Sequence, residues 1–588
     1  MVYYDEFGNE YNNVEEFIGD SYLKWVHNKF IINNKVVFIQ TPTGSGKSYF
    51  VYKDLLAYAV EHGERILYLV NRKILKEQLQ KEAAIALNDI KIKRNRYDTN
   101  SYIVMETYQY LEKNMEDKGQ EWGMCYLAQF NYIIMDEAHY FLQDSTYNTS
   151  NYWSFYAIRG SYRAVRIFMS ATIDEVKTFY ANTYKEYIEM CNWEYNDAMK
   201  PIEYQLHLNY DYIKPHIFDS YEEMAKFIIE EDKYSKWFVI VDSKDRGRGL
   251  ENTIKKMVRE KNARIKERNK DDKMEEIICD TVFIDAEYES SPEAVKSVTE
   301  VVMENAMRAK VVIATIVLDN GVSIKDEALR NLVVVTDSKS ELLQIIGRKR
   351  MTEGETVDLF LYKGKREEFE RRLRKVEECI KVAEEIEQNH RKFGTTINLV
   401  LPKMLNSERY YELCKKVIVY NKFSKDLFVN PLSKMQLLYM EKNYKEILES
   451  FDLDEEFGFF NLQMKWLGIE ADEVKDKYLV DVQETLRQKV ITALDALVGK
   501  EFDREEAIEQ KNTYRNELYD LFKRYCIDNL DASKENQRIL DTLYKSSDAI
   551  TEDKFNIVMT ALKLPYQMEV RREGKKYYTI RKITIVEN

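Results

Sequence analysis

Glycine and proline are scarce, at 19 and 7 of 588 residues, so long loop-rich or disordered segments are not expected. The six cysteines, at positions 125, 191, 279, 379, 414 and 526, are scattered and form no CxxC pair. That excludes a zinc ribbon and a disulfide framework, and makes a reducing, cytoplasmic setting the expectation. No apolar run approaches the length of a membrane span, and the opening Met1-Val2-Tyr3-Tyr4-Asp5-Glu6 does not read as a signal peptide. Positive charge is in deficit: the formal net charge is −13. This argues against diffuse coating of nucleic acid but leaves room for a local basic groove. What is present is apolar and aromatic. A hydrophobic content of 45%, with 26 Phe and 43 Tyr, is ample for real cores. The length suggests about three to four domains.

The most informative stretch is Gln40-Thr41-Pro42-Thr43-Gly44-Ser45-Gly46-Lys47-Ser48. The apolar run Val36-Val37-Phe38-Ile39 precedes it and a helix-forming stretch, Tyr49 to Val60, follows. Strand, glycine loop, helix is the context of a phosphate-binding P-loop. Glycines let backbone N–H groups turn toward an anion, and the following helix N-terminus favours negative charge. Thr43, Gly44, Ser45, Gly46, Lys47 and Ser48 are therefore the candidate cradle for a nucleoside triphosphate. Lys47 would reach its β- and γ-phosphates, and Ser48 would ligate Mg²⁺. The usual first glycine is replaced by Thr41, and a chance Gly/Ser turn is the plainer alternative.

Short apolar runs recur at 66–70, 102–105, 132–135 and 165–169, separated by helical segments, as in a parallel α/β sheet. Each run ends in polar residues: Asn71-Arg72, Glu106-Thr107, Asp136-Glu137 and Ser170-Ala171-Thr172. In such sheets ligands gather at the carboxyl ends of the strands, so these ends converge on one site. Asp136 at a strand end beside a P-loop is placed to hold Mg²⁺, and Glu137 to polarise an attacking water as general base. Tyr3 to Tyr22, acidic and aromatic, is expected to form one or two helices.

TPTGSGKS, MDEAH and MSAT, in this order, resemble motifs I, II and III of superfamily 2 helicases and translocases of the DEAD/DEAH-box type. Arg72 with Leu75 and Gln78 is similar to motif Ia, and Thr107-Tyr108-Gln109 to the next nucleic-acid-contacting motif. The resemblance implies that Ser170 and Thr172 couple nucleotide state to domain closure, and that His139 bridges the ATP site toward a partner domain. A strand-end histidine that merely satisfies hydrogen bonds is the duller reading of His139. No glutamine motif that would read adenine stands upstream of the P-loop.

A second strand–helix series follows a transitional stretch that includes a helix from Glu175 to Tyr187 and an alternating, half-exposed strand at Ile202. Trp237 to Val241, ending at Asp242-Ser243, resembles motif IV. Thr315, Asp319 and Gly321 lie in a stretch very similar to motif V, whose Thr touches the nucleic-acid backbone and whose acidic-to-Gly turn senses the nucleotide. Gln344-Ile-Ile-Gly-Arg348-Lys-Arg350 resembles motif VI, whose arginines cross the cleft and neutralise charge on the transferring phosphoryl group. The common pattern places its second arginine one position later, where Met351 stands, so Arg348 and Arg350 are assigned jointly. A basic helix start at the surface is the alternative. Lys255 to Lys273 reads as a solvated helix and loop, ahead of a nucleic-acid patch. The resemblance spans roughly residues 30 to 362.

Beyond it, Glu367 to His390 is a charge-rich helix with Phe369, Leu373, Val376, Ile380, Ala383 and Ile386 on one face. Its basic start would either follow a phosphate backbone or be a solvated face. Residues 400–560 read as amphipathic helices without a catalytic cluster, a nuclease signature or zinc ligands. Tyr566 to Val586 reads as a hairpin with basic residues near its tip. It suits either a strand-separating wing in a winged-helix-like unit or a plain terminal hairpin packed on helices.

The expected fold class is α/β: two tandem RecA-like parallel-sheet domains, 1–200 and 201–365, then a mainly helical accessory domain, 366–588, with a terminal hairpin. The resemblance implies an ATP hydrolase using ATP and Mg²⁺ (metal ligands Ser48 and Asp136), with Glu137, Arg348, Arg350 and Gln344 catalytic. Arg72, Thr107, Ser243 and Thr315 would contact nucleic acid, DNA ahead of RNA. A partner protein has room on the C-terminal third, and no membrane is involved. A nucleic-acid-gated ATPase that switches a partner without unwinding, and a motor that remodels protein, are the rival readings.

Overall fold

Strands that are apolar on both faces need cover on both faces, and helices between parallel strands supply it. In the computed structural model, Val36–Gln40, Ile66–Val70 and Tyr132–Asp136 are buried along their whole length. The structure describes residues 2–27, 36–94, 98–161, 163–190, 201–230, 234–268, 277–285, 291–301, 305–315, 324–352, 354–422, 425–528, 533–544 and 549–584. The chain forms two compact units, Met1–Ala471 and Asp472–Asn588, so the break falls within the helical third.

The first unit holds two six-stranded sheets. One has the order Ile103–Thr107, Ile66–Val70, Tyr132–Asp136, Val165–Ser170, Val36–Gln40, Ile202–Gln205, with every neighbouring pair parallel. The other runs Ile213–Phe218, Val357–Tyr362, Leu329–Val334, Lys236–Ile240, Val311–Ala314, Thr281–Ile284, again parallel throughout. The parallel sheets follow the strand–helix alternation, and their tandem RecA-like arrangement is the one that the resemblance implied. Because the strands are parallel, all carboxyl ends of a sheet lie along one edge, and the register sets Gln40 beside Ser170 and Asp136 beside Met169.

Two local readings change. Residues 3–22 open with the strands Tyr3–Tyr4 and Glu10–Tyr11, joined through Gly8 at φ 81°, before the helix Val14–Ile18. Tyr3–Tyr4 also pairs antiparallel with His207–Leu208, so tertiary pairing draws these aromatic residues into a sheet. The helix after the glycine loop runs from Lys47 to His62, with a π-helical turn over Val51–Leu55. Such turns are rare and frequently mark functional sites.

The helices Arg366–Phe393, Pro431–Leu453 and Gly458–Leu467 belong to the first unit. The apolar stripe of the first is buried at Phe369, Val376, Ile380, Ala383 and Ile386 against Leu437, Ile447 and Phe451. Three residues of its basic start serve ion pairs. Lys363 reaches Glu456 at 2.7 Å, Arg366 reaches Asp452 at 2.7 Å, and Arg372 joins Asp337 at 2.6 Å and also Asp242.

The second unit runs helix Asp472–Asp495, strand Glu501–Phe502, four helices, and a hairpin of Tyr566–Glu573 with Lys575–Lys582. Glu501–Phe502 pairs antiparallel with the last strand, which is central. The terminal hairpin is thus one part of a three-stranded antiparallel sheet beside helices. The unit's core is Val490, Leu494, Leu518, Phe522, Phe555, Val558 and Ile580, with their neighbours. Among the described residues, no helix is long and apolar enough to cross a membrane.

Candidate nucleotide cleft

The glycine loop lies where the strand Val36–Gln40 leaves its sheet. Gly44 and Gly46 both take φ 91°, which costs little only for glycine. Lys47 is buried, and its ammonium donates to the loop carbonyls of Thr41 (2.9 Å) and Pro42 (3.2 Å). Ser45 Oγ donates to Thr41 Oγ1 at 2.8 Å, which gives the threonine at the unusual first position a bracing role. The segment upstream meets the loop directly, since Val14 N donates to Ser45 O at 2.8 Å.

Opposite the loop, the two proposed metal ligands are joined by a residue that motif reading passes over. The Tyr68 hydroxyl donates to Asp136 Oδ2 at 2.9 Å and lies 3.1 Å from Ser48 Oγ. A polar-tipped residue within the otherwise aliphatic Ile-Leu-Tyr-Leu-Val strand was its only signal. Burial pushes the Asp136 carboxyl up, and the neighbouring Glu137 charge adds to this, while Lys47 opposes it. Two adjacent, buried carboxylates beside a serine hydroxyl form an oxygen-only donor set, which suits Mg²⁺.

Glu137 stands at φ 51°, an uncommon backbone conformation for a non-glycine residue. Its Oε2 is buried without a hydrogen bond. Burial alone would raise this carboxyl. Arg348 first, then His139 and Lys47, outweigh burial and hold it below the ordinary carboxylate range. An ionised carboxylate with an oxygen that accepts no hydrogen bond is able to accept a proton from water. His139 Nδ1 lies 2.8 Å from Ser170 Oγ and 3.5 Å from Glu137 Oε2. Ser170 Oγ in turn accepts from Thr172 N at 3.1 Å.

The second sheet reaches this cleft through the helix Lys339–Ile346 and the turn after it. Gln344, fully buried, donates through Nε2 to Thr172 Oγ1 at 2.7 Å. Arg348 Nη1 lies 3.6 Å from Glu137 Oε1. Arg350 lies against the glycine loop: a Cβ added to Gly44 would stand 1.7 Å from its Nη1. Gly347 approaches Thr43 so closely that its own Cβ would fall 2.9 Å from Thr43 Cβ. Lys349, between the arginines, points away and pairs with Glu355 at 2.6 Å. Burial lowers the Arg350 guanidinium below its usual range and the Arg348 charge lowers it further, against opposing contributions from Tyr3 and Glu137. Lys47 is likewise lowered by burial, although Glu137 and Asp136 favour its charge. The structure thus brings Thr43–Ser48, Asp136, Glu137, His139, Ser170, Thr172, Gln344, Arg348 and Arg350 into one cleft. Asp319 and Gly321 lie outside the described residues.

The four candidate nucleic-acid contacts are spread along the strand-end edges. Arg72 begins the helix Lys73–Lys93, and its Nε is buried without a partner, as are both side-chain polar atoms of Asn71. Thr107 is buried and spends its hydroxyl on Tyr110 N at 3.1 Å. Ser243 Oγ accepts from Arg246 N at 3.3 Å, and Thr315 is buried at the end of Val311–Ala314. Beneath the acidic loop, Tyr108 donates to Asp136 O at 2.9 Å and stacks on Tyr140. The Tyr140 hydroxyl donates at 3.0 Å to Glu112, a buried carboxyl that burial pushes up to about 7.

Residues 13–175 match the family described as type III restriction enzyme, res subunit, so the chain carries a domain of superfamily 2 helicase type. No curated protein sequence matches. Among solved structures, Saccharomyces cerevisiae Dbp5 bound to RNA and ADP BeF3 is similar at 15% identity over 56% of this chain and 79% of that one, with a TM-score of 0.36. Mycobacterium smegmatis helicase Lhr bound to ssDNA and AMP-PNP is similar at 13% identity over 69% and 58%, with a TM-score of 0.37. The DUF1998 helicase MrfA bound to DNA is similar at 15% identity over 73% and 55%, with a TM-score of 0.39.

Proposed function

We propose that this chain is an ATP-dependent motor that moves along a nucleic-acid strand, with DNA favoured over RNA. The observation that carries the reading is the meeting of Glu137 with Arg348 and of Gly44 with Arg350 across the cleft. A base and a phosphate cradle on one sheet face arginines from the other. Thr43 to Ser48 would hold the phosphates, and Ser48 with Asp136 would hold Mg²⁺, which supplies charge neutralisation on the phosphoryl oxygens. Glu137 takes the proton of the attacking water, while Arg348 keeps that carboxylate ionised and Arg350 faces the transferring group. Gln344, Thr172, Ser170 and His139 form a continuous polar path from the second sheet to Glu137, suited to reporting closure to the chemistry. Asn71, Arg72, Thr107, Ser243 and Thr315 mark the track for the strand, gripping the backbone without reading sequence.

A second reading is favoured by one arrangement. The helix Pro431–Leu453 touches both sheets' domains: Ser433 donates to Ser145 O at 2.7 Å, and Tyr444 donates to Asp337 at 2.7 Å. A tie of this kind limits domain opening and suits a nucleic-acid-gated switch acting on a partner protein without unwinding. Steady-state ATPase with no nucleic acid, single-stranded, duplex and forked DNA, and RNA tests both readings. Lys47→Ala and Glu137→Gln serve as blanks. Stimulation by one polymer together with strand separation supports the motor, stimulation without separation supports the switch, and a flat rate overturns both.

A further inference from the structure

The two faces of the terminal hairpin differ in charge. Pairing is Arg571↔Tyr577, Arg572↔Lys576 and Glu573↔Lys575, so side chains alternate between faces along Tyr566–Glu573 and Lys575–Lys582. One face carries Glu569, Arg571 and Glu573 with Lys575, Tyr577 and Arg581. There Arg571 pairs with Glu573, and Arg581 with Glu569 at 3.0 Å. The other face carries Met568, Val570 and Arg572 with Lys576, Tyr578 and Ile580. Its inner part is core: Met568, Tyr578 and Ile580 are buried. Its outer part overhangs the core as Arg572 directly opposite Lys576, both exposed, while Lys575, also exposed, stands beside the turn on the other face, opposite Glu573. Among the described residues these three cations form no ion pair. Like charges directly opposite in a hairpin are destabilising, so this pair weakens the element it stands in unless an anion lies against it.

We propose that the hairpin is a wing whose core-side face grips the phosphate backbone of duplex nucleic acid through Arg572 and Lys576, with Lys575 at its tip. Duplex is favoured over single strand because that face exposes no ring for base stacking. Tyr578 is buried and Tyr577 stands on the opposite face, whereas single-strand grooves combine cations with aromatic platforms. A duplex instead presents dense, regularly placed phosphates that cations alone can hold. The inference deepens the motor reading by naming its substrate class, and it places binding capacity outside the ATP cleft.

The test is fluorescence anisotropy of the full-length chain, without nucleotide, on a labelled blunt DNA duplex and on one of its strands, across a salt series. Arg572→Gln/Lys575→Gln/Lys576→Gln is compared with Arg571→Gln/Arg581→Gln on the other face. The first variant is expected to raise Kd for duplex about tenfold or more and to flatten the log–log salt slope by about 2–3, as three phosphate contacts require. The second is expected to stay within about twofold. Thermal unfolding separates misfolding from lost contacts, because removing the opposed cations should not lower the midpoint. Unchanged duplex affinity and slope in the first variant, or an equal loss on single strands, overturns the proposal. Nucleotide-independent binding keeps this outcome separate from failure of the motor reading, which the ATPase panel reports.

Discussion

Which arginine acts on the phosphoryl group follows from where each side chain lies, and Arg350→Ala puts the assignment at risk. Arg348 is engaged with Glu137 at 3.6 Å, whereas Arg350 lies on Gly44, where phosphate oxygens would pass. Removing a finger lowers turnover by about 10³–10⁵-fold, or about 4–7 kcal/mol of transition-state stabilisation. The same substitution has the opposite effect on folding. Lys47, Arg348 and Arg350 crowd a buried cleft, and both Lys47 and Arg350 are held below their usual pKa range. Two unit charges about 7 Å apart at an effective dielectric constant of about 20 repel by roughly 2 kcal/mol. Deleting Arg350 should therefore leave the midpoint of thermal unfolding, measured without nucleotide, unchanged or about 1–2 °C higher, given the entropy of unfolding a chain this long. Steady-state ATPase at saturating ATP and with the best polymer should fall about 10³-fold or more. Arg348→Ala should behave differently, because its loss lets the Glu137 carboxyl rise. The acid limb of the pH–rate profile then moves to higher pH. If Arg350→Ala keeps turnover within about tenfold while Arg348→Ala abolishes it at every pH, the assignment is refuted.

Three further outcomes follow from the same geometry. Glu137→Gln should reduce hydrolysis about 10³-fold or more while retaining nucleotide affinity, read by equilibrium binding beside single-turnover hydrolysis, since the amide cannot accept the water's proton. Gln344→Leu cuts the 2.7 Å bond to Thr172 and should lower nucleic-acid stimulation several-fold more than it lowers the basal rate; equal losses in both would contradict a coupling role. Glu112, pushed up to about 7 by burial, binds its proton more tightly folded than unfolded. Its contribution is complete below the ordinary carboxylate value and is lost as pH rises through about 7, a difference of about 3 kcal/mol. Glu112→Gln should therefore stabilise the protein relative to wild type at pH 8.5 and change little at pH 4.5, by denaturant unfolding at both values.

The strand–helix alternation was legible because buried parallel strands leave a strong signature. Runs such as Val36–Gln40 and Tyr132–Asp136 are apolar without interruption, and each ends in a polar residue at one edge. Short-range order also made the glycine loop and Asp136-Glu137 readable. What escaped were contacts between strands distant in sequence. Tyr68 reaches Ser48 and Asp136 only because Ile66–Val70 and Tyr132–Asp136 are neighbours in the sheet. Arg348 and Arg350 were indistinguishable as letters, and three-dimensional placement separates them. The opening strands escaped for the same reason, since Tyr3–Tyr4 pairs with His207–Leu208 some two hundred residues away.

The basic start of the helix Arg366–Phe393 shows why charge runs mislead. In sequence Arg372 belongs to a run that reads equally as a phosphate-following or a solvated face, yet its guanidinium joins Asp337 and Asp242, and Tyr444 donates to the same Asp337 carboxylate. Asp242 adjoins Ser243 at the end of Lys236–Ile240, and Asp337 precedes the cap of the helix that carries Gln344. One arginine from an accessory helix thus fastens both strand-end loops of the second sheet, the one beside Ser243 and the one leading to the cleft. Its planar fork can hold two carboxylates at once, which a lysine at this position would not reproduce. Arg372→Lys should therefore loosen the relation between the two loops without removing a charge. The expected result is a weaker response of ATPase to nucleic acid with the basal rate retained. A loss confined to nucleic-acid affinity, with full stimulation at saturation, would instead make Arg372 a backbone contact and refute the fastening role.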